Sequence, residues 1–438
     1  MTPQQAMPAS QPMGSTPSLE RSSAISAAED SGQQSADKRA LRRPMAWLHS
    51  KPLLAWMAVA ASLIGCQALV ASGLNQPRIT VMLPFGPGDD RLRQQFLRGF
   101  TVGEETVKAC GSSLPRTSWF GLSPDASPVA ALARMPDQQL VVAPPTADLR
   151  AFDRLAVDRK LSVLLPFQRG ESLGVLRGLE GRQRLWPLVP SRRKDLEAIA
   201  KASVNNGWGW AMVIADPDSL ASSDVATFVE AFLSAGGAVK SYTAEDVQIV
   251  DPADDKAFER LSDDILWSRV PTIVVAADPD GPLVKRLRAR QAEGRFGTGL
   301  KKEPNWIWLS DATQIQDLEQ QAWQQLGLDH PARGDGWSSF AEAYEKRWGE
   351  SPHLLEAAAY DTARILALSG AAPLPVSKEG SLDAMGWVDP EAKPVSICEG
   401  LKLRQQGKTL RVKAAASDFT LRGGEAPSGS ALAGLIKG

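Results

Sequence analysis

Two copies of one short phrase hold the carboxylates in this chain best placed for recognition. Residues 213–218 read Val-Ile-Ala-Asp-Pro-Asp and residues 275–280 read Val-Ala-Ala-Asp-Pro-Asp, each closing an apolar run before a helical pattern. An aspartate there accepts hydrogen bonds from the first N–H groups of a helix, and proline suits the opening turn. Capping alone accounts for both phrases. The functional reading is that one or more of these carboxylates, Asp278 and Asp280 first among them, face a ligand and pair with an ammonium or a sugar hydroxyl. Cations stand on other loops: Arg91 and Arg169 could grip a carboxylate as a planar fork, against the plain reading of solvated surface arginines.

Catalytic patterns are missing. Gly86-Pro87-Gly88 lacks the third glycine of a dinucleotide loop and is followed by Asp89 and Asp90, which would repel a pyrophosphate. There is no phosphate loop or His-Glu-x-x-His helix. Asp278-Pro279-Asp280-Gly281 starts like a calcium loop, but Pro282 and the missing later acid spoil it. The three histidines (His49, His330, His353) and three cysteines (Cys66, Cys110, Cys398) lack metal-ligand spacing. The residues therefore imply neither an enzyme nor a bound cofactor. With 49 Lys plus Arg against 50 Asp plus Glu, nothing in the overall charge calls for nucleic acid.

Residues 1–44, rich in Ser, Ala, Gln and Pro, read as a disordered tail or as the product of a start misassigned upstream of Met45. Residues 45–76 read as an export signal or membrane anchor. Arg42, Arg43 and Lys51 flank an apolar run over residues 53–64 that ends in Leu63-Ile64-Gly65-Cys66. That tetrapeptide resembles the bacterial lipobox, which makes Cys66 the expected lipidation site. The alternative is an uncleaved anchor helix, for which about 20 residues are available. Both readings place everything after Gln76 outside the cytoplasmic membrane, in the periplasm and anchored to the membrane.

The elements that must position these side chains alternate. Strands are expected over residues 79–83, 116–121, 139–143, 161–165, 210–216, 272–277 and 306–309, with helices between them and over 336–348, 354–369 and 397–406. Residues 184–189 look like a crossover. At 438 residues the chain is too long for a single core. Repeated βα units imply an α/β protein with two mainly parallel sheets, covered by helices on both faces. In such folds ligands gather beyond the carboxyl ends of the strands. Of the thirteen tryptophans, Trp186, Trp208, Trp210, Trp306 and Trp308 fall on or beside expected strands or the crossover, so most are expected in the core, while one at a ligand site could stack on a flat or sugar-like ligand.

From about Ile79 onward the order of pieces resembles the type I periplasmic binding proteins, in particular the receptor subunits of branched-chain amino acid and amide ABC transporters. The resemblance rests on the opening VMLPFGPGDDRLRQQFLRGFTVGEE. It rests further on Phe340-Ala341-Glu342-Ala343-Tyr344 continuing to Trp348-Gly349-Glu350-Ser351-Pro352, then Ala357 to Tyr360-Asp361-Thr362-Ala363. It implies two Rossmann-like lobes joined by three crossovers around a hinged cleft: residues 77–185 with 309–372, and residues 186–308 with 373–438. Departures cluster at the ligand loops. Ala143-Pro144-Pro145-Thr146 keeps one hydroxyl, on Thr146, and its prolines carry no N–H. Leu165-Pro166-Phe167-Gln168-Arg169 replaces a small polar phrase, which leaves Gln168 and Arg169 to face a ligand.

The resemblance thus implies a solute receptor closing on a small polar ligand, amino acid or amide-like, and docking on a transporter permease. In it Arg169 would hold a carboxylate and Asp278 an ammonium. The alternative is an envelope lipoprotein of the same fold that acts on protein partners, for example in cell-wall synthesis. The resemblance also puts Cys110 and Cys398 in different lobes, so two unpaired thiols are expected.

Overall fold

The computed structural model describes residues 77–436 apart from 124, 136, 218–222, 240–246, 269, 279–280, 298–302, 311–323, 377–379, 381 and 420. Cys66, Asp218 and Asp280 lie outside the described residues. No helix among the described residues is long and apolar enough to cross a membrane.

The chain opens with β1 (Ile79–Pro84), α1 (Asp90–Ala109), β2 (Thr117–Leu122), α2 (Pro128–Ala133), β3 (Leu140–Val142), α3 (Leu149–Arg159), β4 (Ser162–Arg169) and β5 (Leu185–Val189). These strands form a five-stranded sheet of order β2-β1-β3-β4-β5, parallel throughout. Then follow α4 (Arg192–Asn205), β6 (Trp210–Ala215), α5 (Asp224–Ser234), β7 (Ala238–Val239), β8 (Val247–Ile249), α6 (Asp255–Trp267), β9 (Thr272–Ala276), α7 (Pro282–Ala292), β10 (Asn305–Trp308) and β11 (Gln325–Arg333). The chain closes with α8 (Trp337–Trp348), α9 (Leu354–Gly370), β12 (Pro394–Val395), α10 (Ile397–Gln405), β13 (Arg411–Val412) and β14 (Ser430–Leu435). The second sheet runs β14-β11-β10-β9-β6-β7, with β8 also on β6; β14 alone is antiparallel.

Strand composition explains this. Leu140-Val141-Val142 and Thr272–Ala276 are wholly buried, as parallel strands covered on both faces must be. One face of the first sheet packs on Phe152, Leu155 and Ala156 of α3, and the other on Phe96 and Phe100 of α1 and the alanine-rich α9. The second sheet is likewise covered by α6 and α7 on one face and by α4 and α5 on the other. Close approach of α1 to α9 depends on glycine: a Cβ on Gly99 would lie 2.0 Å from the Glu356 carbonyl oxygen, and one on Gly103 2.6 Å from that of Tyr360. The aromatic phrase of α8 and α9 is core, with the Phe340 and Tyr360 rings 4.8 Å apart.

Several pieces differ from the expectations. Residues 185–189, read as a crossover, are the edge strand β5 of the first sheet. β11, expected neither as a strand nor beside the second lobe, is a long strand of the second sheet. Residues 373–421, expected with the second lobe, send Leu374, Met385, Trp387, Ile397, Leu401, Leu410 and Leu421 into the first core. The described end of the tail joins the second sheet instead, as the strand over residues 430–435. Trp306 and Trp308 are fully buried as expected, whereas Trp210 is 40 % exposed.

The expectation of two free thiols fails for the same reason. Because α10 packs into the first core beside α9, its Cys398 meets Cys110 at the end of α1, and the two form a disulfide with Cα atoms 5.0 Å apart.

Candidate functional site

Four parallel strands of the second sheet deliver their carboxyl ends to one place. After β6 come Asp216 and Pro217, after β8 Asp251 to Ala253, after β9 Ala277 and Asp278, and after β10 Leu309 and Ser310. With Arg192, Asp224 and the Gly281-Pro282 start of α7 they line an open cavity of about 790 Å³. That volume suits a small solute. Four aspartates, Asp216, Asp224, Asp251 and Asp278, face one arginine, so the electrostatic character of the cavity is acidic. Local geometry fixes the loops. Asp251 accepts from the Ala253 N–H at 2.8 Å, and Arg286 holds the Pro252 carbonyl at 2.7 Å while its guanidinium lies 4.1 Å over the Phe258 ring.

The one arginine is committed. Arg192 Nη1 lies 3.0 Å from Asp195 Oδ2 and its Nε 3.3 Å from Asp224 Oδ2, and its Nη2 donates to the Leu309 carbonyl. Asp195, wholly buried, takes Arg169 Nη2 on the same Oδ2 at 2.7 Å and the Ala332 N–H on Oδ1 at 2.6 Å. Arg169 Nε also donates to the Pro190 carbonyl at 3.1 Å. Asp195 therefore ties the end of β4 to the start of α4 and to β11. Three crossovers between the sheets converge here, at residues 190–191, 334–336 and 422–429. A Cβ on Gly429 would sit 2.8 Å from Pro190 Cγ and 3.1 Å from the Arg333 nitrogen.

Of the residues singled out from sequence, Asp278 lines the cavity, and its counterpart Asp216 joins it there. Arg169 instead bonds a carboxylate of its own chain at the junction of the sheets. Gln168 is buried and donates from Nε2 to the Pro144 and Pro145 carbonyls at 2.7 and 3.0 Å, bracing the loop whose prolines cannot donate. Arg91, in the first turn of α1, and Thr146, on the loop after β3, are exposed and are not among the lining residues of the cavity. Sequence reasoning missed Arg192, Asp195, Asp224 and Asp251. Ser191-Arg192-Arg193-Lys194-Asp195 reads as an ordinary capped helix start, and the Ser191 hydroxyl indeed accepts from the Arg193 N–H. Nothing local marks Asp195 as a long-range junction.

Two sheets flanked by helices and joined by three crossovers make up the two-lobe fold of the type I periplasmic binding proteins. A structure from Rhodospirillum rubrum, described as a putative branched-chain amino acid ABC transporter, matches with a TM-score of 0.54 at 15% identity, covering 82% of this chain and 98% of that one. An extracellular ligand-binding receptor from Rhodopseudomonas palustris HaA2 matches at 0.49 and 14% identity, over 83% of this chain and 98% of that one. A substrate-binding protein from Desulfitobacterium hafniense in complex with Leu matches at 0.48 and 17% identity, over 75% and 87%. No protein-family model and no curated protein sequence matches this chain.

Proposed function

We propose that the chain is an extracytoplasmic solute receptor of the ABC-transporter type. Its second lobe holds the positively charged end of a small polar solute, an amino acid, amide or amine. The observation that carries this reading is the acidic cavity at the strand ends, where Asp216, Asp251 and Asp278 line the wall beside an Arg192 paired with Asp224 and Asp195. An ammonium there gains several charge-assisted hydrogen bonds, and lobe closure strengthens each by removing water. The work is binding and hinge motion, with no covalent step. The zwitterion model that pairs Arg169 with Asp278 gives way to one in which Asp278 and its neighbours supply the charge recognition and Arg169 belongs to the hinge.

The Cys110–Cys398 disulfide supports an oxidising compartment outside the cytoplasm. Tethering by a lipid on Cys66 or by an uncleaved anchor is part of the same proposal. Replacing Cys66 with Ser should abolish labelling by a fatty-acid probe, and unchanged labelling would remove the lipid. A thermal-shift screen of amino acids, amides, urea, diamines and sugars tests the receptor reading, which expects stabilisation by ammonium-bearing members.

One observation favours a second reading, action through a protein partner. The edge strand β2 exposes Trp119 and Phe120 by 46% and 39%, and Phe85 beside it is 63% exposed. Such an apolar edge is a template for docking. If the screen stabilises nothing while Trp119→Ser abolishes capture of an envelope partner, this reading replaces the first.

A further inference from the structure

Arg192 is the only side chain among the described residues that both lines the acidic cavity and bonds Asp195, the carboxylate on which the lobes meet. Charges alternate along this line: Asp224 at the cavity wall, Arg192, Asp195, then Arg169 at the end of β4. Two arginines share one oxygen, Asp195 Oδ2, at 2.7 and 3.0 Å. The side chains of Arg192 and Asp195 are 14% and 0% exposed, so water screens the central pair little.

We infer that Arg192 is a positioning residue that transmits the charge state of the cavity to the hinge. When a cation neutralises Asp224, Arg192 loses that partner and its charge falls more fully on Asp195 Oδ2. That oxygen then holds Arg169 less tightly, and the first lobe is freed to move. Without a solute, Arg192 is drawn toward Asp224 at the cavity wall and Arg169 keeps the shared oxygen. A solute in the second lobe thereby alters the contact that restrains the first. The inference rests on the proposed cationic solute for its purpose, but the coupling itself is a property of the empty protein.

A double-mutant cycle in the full chain tests it without any solute. Asp224→Asn mimics neutralisation and Arg169→Gln removes the far end, and unfolding equilibria are measured for the wild type, both single variants and the pair. The relay predicts that the two effects are non-additive by at least about threefold in the unfolding constant. It further predicts that the non-additivity vanishes when the cycle is repeated on an Arg192→Gln background, or on Arg192→Met if the glutamine variant does not fold. Effects that multiply independently in the wild-type background would overturn the inference, as would a coupling that survives the loss of Arg192. A chain that couples in this way yet binds no amine would sink the solute reading and leave the relay standing.

Discussion

Arg169 Nη2 lies 2.7 Å from Asp195 Oδ2, joining the last residue of a first-sheet strand to the opening turn of the first helix of the second lobe. The pair is unequal. Asp195 is fully buried and has two further donors, Arg192 Nη1 and the Ala332 N–H, while the Arg169 side chain is 25% exposed. Asp195→Ala strands two guanidinium groups and a backbone N–H together and should cost about 3–5 kcal/mol in urea unfolding. Arg169→Ala leaves Asp195 with its other partners and should cost about 1.5–3 kcal/mol, the value of one charged hydrogen bond. Equal losses below about 1 kcal/mol in both variants would show that the junction is not held by this carboxylate.

The disulfide closes a loop of 288 residues in sequence separation, between the end of α1 and the start of α10. A cross-link of such span restricts the unfolded chain strongly, so Cys110→Ser with Cys398→Ser should lower stability by about 2–5 kcal/mol. Native protein should weigh about two daltons less before reduction than after it, as expected for one bond. Intact mass spectrometry that finds both thiols free would contradict the packing of residues 373–421 on the first lobe.

A second buried carboxylate sets a pH dependence. Asp361 on α9 accepts from Arg364 Nη1 at 3.0 Å and from the Ala415 and Ala416 N–H groups at 2.8 Å, fastening residues 415–416 to the first core. Complete burial raises its carboxyl from 3.8 to about 6, against the pull of Arg364 and the two backbone donors. The folded chain thus holds this proton more tightly than the unfolded one. The stability it contributes is fully present below about pH 4 and is lost as pH rises through about 6, amounting to about 3 kcal/mol. Chemical denaturation between pH 4 and 7 should show this slope in the wild type and not in Asp361→Asn. Parallel slopes in the two proteins would refute the assignment.

Much of the fold was legible because its strands are short, β-branched and separated by capped helices: Thr272–Ala276 and Pro282–Ala292 appear almost as read from the residues. The two Asp-Pro-Asp phrases likewise marked strand ends that reach one cavity. What stayed hidden depends on distance along the chain. Asp195 meets Arg169 from 26 residues away and Ala332 from 137, and no periodicity encodes such pairings. The tail misled for a related reason: Leu374, Trp387 and Leu401 announce burial but not which sheet will bury them. Arg169 looks open to a ligand in the sequence because its buried partner, Asp195, sits in a helix start that looks ordinary.

The cavity makes separate demands on its acids. Asp278 and Asp216 follow adjacent strands, and both line the space where the solute charge would rest. Asp278→Asn should weaken binding of an amine-bearing solute by at least tenfold, because a partly desolvated charged contact is worth about 2 kcal/mol or more. Thr146→Ala, outside the cavity lining, should leave affinity within about twofold. The reverse ranking would move the recognition site to the first lobe.

Under the proposed function this two-lobe chain closes on a small ammonium-bearing solute at the second-lobe strand ends. Titration calorimetry of the protein with the amino acid, amide or diamine that most raises its melting temperature tests this most directly. Saturable one-to-one binding, weakened at least tenfold by Asp278→Asn, is expected. No heat from any such solute, or binding indifferent to Asp278, would contradict it.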